Sequence, residues 1–463
     1  MFAFLYVTMI KKQYFLFFIP IFIAAYFNVG FFHPDEHYQL LEFANYKMGN
    51  ISAADLPWEF ETQMRPSLQP MLVVWLWKVY VSVFNFNPFV LALILRLITA
   101  ILSVSAFVVV YRVFSNQKNS AFIYFLCSGM LWFIPSVAVR YSSETWAAIF
   151  LAFAFALIYK YINYKNKFFA LFLGGFLLAC SFWFRFQIGF MIAGFFICLW
   201  VYKKITFQQT LIVFLGSGFG VYLFYMLDCY FYQTNVFTPY QYFYQNIVLD
   251  KASNFGEENF IYYPKETFKY LFPLFSIPIA YFILKYFFQN IKHPIIWASV
   301  VFLIAHFGVA HKEFRFLFPL YIFLPLVIAH SSAEILHYYE KYPKILKIGL
   351  LINLVFLCIA VLKPTDINVF NQQQLSENYK YPKSVFVQPN INDTLRSAFY
   401  TDFYNVLTTK PSNNIRYKAI LSNELKPAEQ TTDMFLLNKP MYKYLYWARN
   451  LNEIDRIVYI ENE

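Results

Sequence analysis

The stretch Tyr14–Phe32, YFLFFIPIFIAAYFNVGFF, runs without a break into His33-Pro34-Asp35-Glu36-His37-Tyr38-Gln39. Nineteen almost wholly apolar residues are about the length that crosses a bilayer core. Two adjacent carboxylates and two imidazoles then stand where that span ends. A carboxylate at a membrane surface can act as a general base on a substrate half embedded in lipid. The rest of the chain reads as a scaffold for that cluster.

Composition agrees. Of 463 residues, 59% are hydrophobic and 14% charged, against roughly a quarter charged in a soluble domain. The sequence predicts an all-α polytopic membrane protein. The 59 Phe and 38 Tyr fit lipid-facing bulk and interfacial belts. A net charge of +11 reflects Lys and Arg that set orientation rather than a nucleic-acid partner. Cys127, Cys180, Cys198, Cys229 and Cys358 are scattered with no CxxC pair, so neither a metal site nor a disulfide framework is expected, and no cofactor. The apolar run after Lys11-Lys12 reads as an uncleaved first span.

Eleven spans are expected, near 14–32, 88–111, 120–138, 144–160, 168–184, 188–202, 208–227, 268–287, 294–310, 314–330 and 345–362. Ser67–Phe84, also apolar, is taken as a re-entrant or surface-lying helix, because counting it as a span would put the Arg112–Lys118 turn and the later Lys-rich turns outside. The loops then sort. Lys11, Lys12, Arg112, Lys118, Lys160, Lys165, Lys167, Lys203, Lys204, Lys285, Lys292, Lys341, Lys344 and Lys347 fall on one side, the cytoplasmic one by the positive-inside rule. The His33 loop, Arg140–Glu144, Arg185–Gly189, Asp228–Lys265 and His311–Arg315 fall on the other. Residues 1–363 thus form the membrane domain, with a first external loop over 33–87. Residues 364–463 read as a small external α/β domain. Strands are expected at Ser384–Val387, Met434–Leu437 and Arg456–Ile460, and helices near Leu395–Leu407 and Met441–Asn450.

Each polar cluster has a plain reading beside a functional one. Pro34, Asp35 and Glu36 suit the first turn of a helix. A capped helix start through Tyr38, Leu41 and Tyr46 explains one carboxylate, but not two flanked by His33 and His37. His311, Lys312 and Arg315 place three cationic groups at the mouth of an apolar span. That set suits a phosphate or pyrophosphate, the plain alternative being snorkelling. Arg96 lies inside an apolar run, where an unpaired cation costs on the order of 3 kcal/mol. Arg140 and Glu144, four apart, and Arg185 with Gln187 either make structural ion pairs or line a hydrophilic cavity. Arg65, in Arg65-Pro66-Ser67-Leu68-Gln69-Pro70, can reach a carboxylate or a phosphate.

Together these residues resemble glycosyltransferase family 22, the polyprenyl-phosphate-mannose-dependent mannosyltransferases. His33-Pro34-Asp35-Glu36, with Gln39 and Glu42, looks like the family's HPDE signature, and His311-Lys312-Glu313-Phe314-Arg315-Phe316 like its HKExRF signature. Trp58-Glu59 resembles its Trp-Glu step. Arg65 with Pro70 resembles its Arg-Ser-x-x-x-Pro step, with Pro66 where Ser is usual. Asp228, Tyr232, Asn246, Phe255-Gly256 and Tyr262-Tyr263 match its long lumenal loop loosely, with Gln233 replacing a Gly. Arg140–Glu144 matches in part. The resemblance runs from His33 to Pro319 and leaves out the C-terminal domain.

The resemblance implies a GT-C architecture, a polyprenyl-phosphate sugar donor, and a glycolipid or glycan acceptor on the external face. Asp35, or else Glu36, would be the base. His311, Lys312, Arg315 and Arg65 would bind the donor phosphate. His33, His37, Arg140, Glu144, Arg185, Asp228 and Asn246 would line the substrate pocket. Two other classes stay open, a lipid-linked-sugar flippase and a non-catalytic anchor for the tail. A bacterial inner membrane is expected rather than the endoplasmic reticulum, because the C-terminus carries no retrieval signal.

Overall fold

The computed structural model describes residues 11–115, 120–164 and 167–366, then 369–370, 373 and five short strands. The chain divides into two compact units, one of Met1–Ala25, Trp58–Gln69 and Arg96–Val361, the other of Tyr26–Pro57, Pro70–Leu95 and Leu362–Glu463.

Among the described residues four helices are long and apolar enough to cross a bilayer, Pro88–Phe114, Ser143–Tyr161, Phe207–Tyr232 and Pro343–Leu362. Pro273–Gln289 and Pro294–Gly308, bent by 119° at a short break, make a fifth if taken as one span. This is the frame of a multi-pass membrane protein, but not eleven continuous spans. Proline accounts for much of the difference. The expected span at 314–330 is a 3₁₀ helix, Phe314–Ile322, followed by a short α-helix, Leu324–Ala329. Pro319 and Pro325 withhold the amide protons an α-helix needs there. Residues 120–138 likewise break into Ala121–Met130 and Ile134–Ala138, with Pro135 opening the second. The freed backbone groups at that break are met by Asn353, whose side chain accepts from the Trp132 amide at 3.1 Å and donates to the Met130 carbonyl at 2.7 Å. Such satisfaction is required wherever a helix is interrupted at membrane depth. Leu68–Val81 is a 14-residue helix, shorter than the roughly 20 residues a span needs.

In the first unit, Phe168–Phe184 packs against both Ser143–Tyr161 and Phe207–Tyr232. Small residues set the spacing. A Cβ on Gly175 would lie 1.9 Å from the Val213 carbonyl, and one on Gly216 1.9 Å from that of Phe172. The backbones therefore touch, and Ser217 Oγ donates to the Gly175 carbonyl at 3.0 Å, as small residues allow between membrane helices. Phe207–Tyr232 starts at a capping box of Thr206 and Gln209 and ends at Gln233 with φ +58°. That is the left-handed conformation glycine adopts most cheaply. Arg96 is buried, its Nε donating to the Ala25 carbonyl at 2.8 Å.

In the second unit, the Val29 carbonyl accepts from Thr365 and Asp366 amides at 2.8 and 3.0 Å, and Asn28 donates to the Lys363 carbonyl at 2.7 Å. Gly30, at φ +88°, leaves room for Asp366, which a Cβ would meet at 2.4 Å. The chain leaving Tyr26 is thus fixed just before His33. Five strands form one sheet. Val385–Val387 runs parallel to Val406–Leu407 and Tyr417–Leu421, which pairs antiparallel with Ile457–Glu461, itself antiparallel to Met434–Leu436. Three of them lie in the stretches expected to be strands. Val406–Leu407, assigned above to the end of a helix, is a strand. The remainder of that helix, and the helix near Met441–Asn450, fall outside the described residues.

Candidate active site

In the second unit His33 is an N-cap. It has extended backbone, and its Nδ1 accepts from the Asp35 amide at 3.3 Å, with Pro34 in the first turn of the helix Pro34–Tyr38. The two acids then separate in role. Glu36 is 8% exposed and its carboxylate accepts from the Phe32 amide at 3.0 Å, so it closes the helix start. The Asp35 side chain keeps 27% of its surface open, with His33 Nδ1 3.6 Å from its Oδ1. The plain reading of the cluster thus explains Glu36, and Asp35 is the carboxylate a reactant can reach. His37 was expected in the pocket, but its side chain is wholly buried. Its Nε2 lies 2.7 Å from Glu42 Oε1, whose other oxygen accepts from Asn45. That network fixes the helix Leu41–Met48 beneath the acids.

The first unit holds the remaining site residues. At its centre Glu144, 1% exposed, accepts from Arg185 Nη1 at 2.7 Å and from Arg315 Nη1 at 3.3 Å. Glu144 sits in the first turn of Ser143–Tyr161, where Ser142 caps and an acidic group complements the helix dipole. Arg315 Nε also donates to Glu313 Oε2, and the other Glu313 oxygen lies 3.0 Å from His311 Nε2. Two carboxylates therefore stand among three groups that can carry positive charge. Arg140 is buried, 8% exposed.

His311 Nδ1 lies 3.0 Å from the Gly256 carbonyl. Both ring nitrogens face acceptors, so both bonds form only when both carry protons. The bond with Glu313 raises the pKa of His311, with the Gly256 carbonyl adding to it and burial and Arg315 opposing. A folded-state value above the unfolded one gives stabilisation that is complete below the unfolded value and lost as pH rises through the folded one. The tie between residues 256–258 and 310–312 should therefore loosen on the alkaline side of ordinary histidine titration. Hydrogen exchange of the Glu258 amide, which donates to the Ala310 carbonyl at 3.0 Å, should lose protection there, and His311→Gln should remove that pH dependence. Unchanged protection across the window would refute the imidazolium.

Lys312 was expected at the donor phosphate. Instead Nζ donates to the carbonyls of Glu258 at 2.7 Å, Val309, and Ala310 at 3.4 Å, with 5% of the residue exposed. An ammonium has three protons, and these three carbonyls take them. Lys312 therefore ties loop to loop.

Arg65 pairs with Glu59 at 3.5 Å and lies over the Tyr242 ring at 5.7 Å, while Tyr232 donates to its carbonyl at 2.7 Å. Asn246 donates to the Tyr242 carbonyl at 2.9 Å from a π-helical turn.

Asp228 does not line an open surface. It is 0% exposed and accepts from the Ser67 amide at 2.8 Å, Ser67 Oγ at 2.6 Å, Trp183 Nε1 at 2.9 Å and Thr238 Oγ1 at 2.6 Å. One carboxylate thus ties the loop bearing Arg65, the helix that ends at Arg185, and the segment leading to Tyr242 and Asn246. Asp228→Ala strands four buried donors at about 1–3 kcal/mol each, not additively, whereas Ser67→Ala loses one bond worth about 1 kcal/mol. Thermal unfolding in detergent should rank the two that way, and equal midpoints would contradict this role. Ser67, Trp183, Thr238, Glu313 and Tyr263 are site residues that sequence reasoning passed over. The signal was present for Ser67, Glu313 and Tyr263, which fall inside the quoted motifs, and not for Trp183 or Thr238.

GPI mannosyltransferase 3 of Candida albicans (strain SC5314 / ATCC MYA-2876) is 25% identical over 346 residues, 72% of this chain and 64% of that protein, so the chain spans under two thirds of that relative's length. The crystal structure of ArnT from Cupriavidus metallidurans bound to undecaprenyl phosphate superposes with a TM-score of 0.55 at 10% identity, covering 96% of this chain and 97% of that one. Its apo state gives 0.51 at the same identity and coverage. At that identity the likeness is one of fold. Residues 13–394 match the Alg9-like mannosyltransferase family, and the chain belongs to that family.

Proposed function

We propose that the protein is a membrane mannosyltransferase that moves mannose from a polyprenyl-phosphate donor to a glycolipid or glycan acceptor on the external face, with inversion at the anomeric carbon. Asp35 takes the proton of the acceptor hydroxyl as its oxygen bonds to the anomeric carbon. The bond from that carbon to the phosphate oxygen breaks, and its electron pair stays on the phosphate. Polyprenyl phosphate leaves with one more negative charge than the diester carried. No strong general acid is needed, unlike glycoside hydrolysis, where a second carboxyl protonates the leaving oxygen.

The groups chemically suited to the growing charge are the cations of the first unit around Glu144 and Glu313, together with Arg65. Arg315 contributes charge directly. His311 and Lys312 act through the loop they hold, and Asp228 through the three segments it ties.

The observation that carries this reading is the split between the two acids, with Glu36 spent on the backbone and Asp35 open, in a chain of this family. Its test is purified protein in nanodiscs, given polyprenyl-phosphate mannose and a panel of glycolipids, read by mass spectrometry. A mannosylated acceptor together with released polyprenyl phosphate is expected. Transport of the donor across the bilayer without any new glycosidic bond would overturn it.

A further inference from the structure

Four cationic side chains crowd the centre of the first unit, and their protons can be counted against partners. Lys312 has given its three to carbonyls. His311 has given both of its own to Gly256 and Glu313. Arg315 has bonds to Glu313 and Glu144. Arg185 differs. Its Nη1 serves Glu144 and, at 3.3 Å, Ser143 Oγ, while Nε and Nη2 have no partner although the residue is 6% exposed.

Nε and Nη2 form one edge of the guanidinium, the side-on fork that matches two oxygens of a phosphate or carboxylate. The plane is held by the Phe316 ring, 4.9 Å from Cζ. In the same unit the Tyr263 hydroxyl is also without a partner, in a residue 2% exposed whose ring packs on Phe307 at 5.5 Å. Burial raises the pKa of that phenol, Arg185 lowers it and Glu313 raises it, so these charges are its neighbours and the group is a neutral donor. Buried donors are almost always paired. The unpaired Arg185 edge and the unpaired Tyr263 hydroxyl, near enough to influence one another electrostatically, call for a ligand with several acceptors. Glu144 and Glu313 are already engaged, and the surrounding cations favour an anion.

We propose, building on the function above, that the Arg185 edge and the Tyr263 hydroxyl grip the phosphate of the lipid-linked donor, and that Lys312 does not touch it. Arg185 is then the group that stabilises the departing phosphate, positioned by Glu144 and Phe316. Tyr263 adds a hydrogen bond to a second oxygen.

The experiment is binding of polyprenyl phosphate to the full chain in nanodiscs, without acceptor, beside donor KM and kcat. Tyr263→Phe removes one oxygen and keeps the packing, and should weaken polyprenyl phosphate binding about 3- to 10-fold. Arg185→Lys keeps a cation for Glu144 but loses the fork, and should weaken it at least about 10-fold, with donor KM rising alongside. Binding within twofold of wild type in the Tyr263→Phe protein, with wild-type unfolding temperature, overturns the assignment while mannosyl transfer by the wild type leaves the function standing. Loss of wild-type transfer would instead strike the function. Inorganic phosphate competing as well as the lipid would make this a free-phosphate site and overturn the donor assignment.

Discussion

Asp35→Asn should lower the rate of mannosyl transfer by about 10²–10⁴-fold, the usual contribution of a general base, and leave donor binding within about twofold. The change is isosteric. The helix start is capped by His33 and closed by Glu36 on the Phe32 amide. The Asp35 amide, which makes the cap, is untouched. Glu36→Gln is the matched control. Its remaining carbonyl oxygen can still accept from Phe32, so activity should fall by less than about tenfold. Single-turnover transfer with saturating donor separates the two, because it reads the chemical step rather than release. A larger loss at Glu36 than at Asp35 would exchange their roles.

The second large effect is expected at Glu144→Gln. Its carboxylate is 1% exposed and shared by Arg185 and Arg315. Taking away one partner of a buried ion pair costs about 3–5 kcal/mol, chiefly because charge is left buried without compensation. Glutamine keeps the volume and one acceptor but not the charge, and its amide protons would point at guanidinium donors. Thermal unfolding in detergent should show a midpoint several degrees lower, and donor use should fall with it as Arg185 and Arg315 lose their common anchor. An unchanged midpoint would mean that the two guanidiniums are neutralised elsewhere.

Much of this was legible along the chain. Pro34 after a potential cap with acids behind it reads as a helix start, and the structure has that start. Apolar runs gave helices at Pro88–Phe114, Ser143–Tyr161 and Phe207–Tyr232. Hydropathy could not say which runs are continuous, because Pro319 and Pro325 interrupt hydrogen bonding without interrupting apolarity. Nor could spacing reveal partners brought in by folding. Lys312 reads as a phosphate cation until Glu258, 54 residues away, supplies its carbonyl. Asp228 reads as a substrate-pocket residue of an external loop until Ser67, 161 residues away, and Trp183 fill its lone pairs. Glu144 reads as a partner for Arg140 on its own segment until Arg185 and Arg315, 41 and 171 residues away, supply its donors. Gln233, odd as a replacement for glycine in the motif, marks a left-handed turn at a helix end.

The most direct measurement is mass-spectrometric and stereochemical. Purified wild-type and Asp35→Asn proteins are given β-linked polyprenyl-phosphate mannose and a glycolipid acceptor, with nucleotide-activated mannose as the parallel donor. The expected outcome is an α-mannosylated acceptor from the lipid donor alone, formed by the wild type and nearly absent with the variant. A β-linked product, equal use of the nucleotide sugar, or full turnover by Asp35→Asn would contradict a single displacement in which Asp35 is the base.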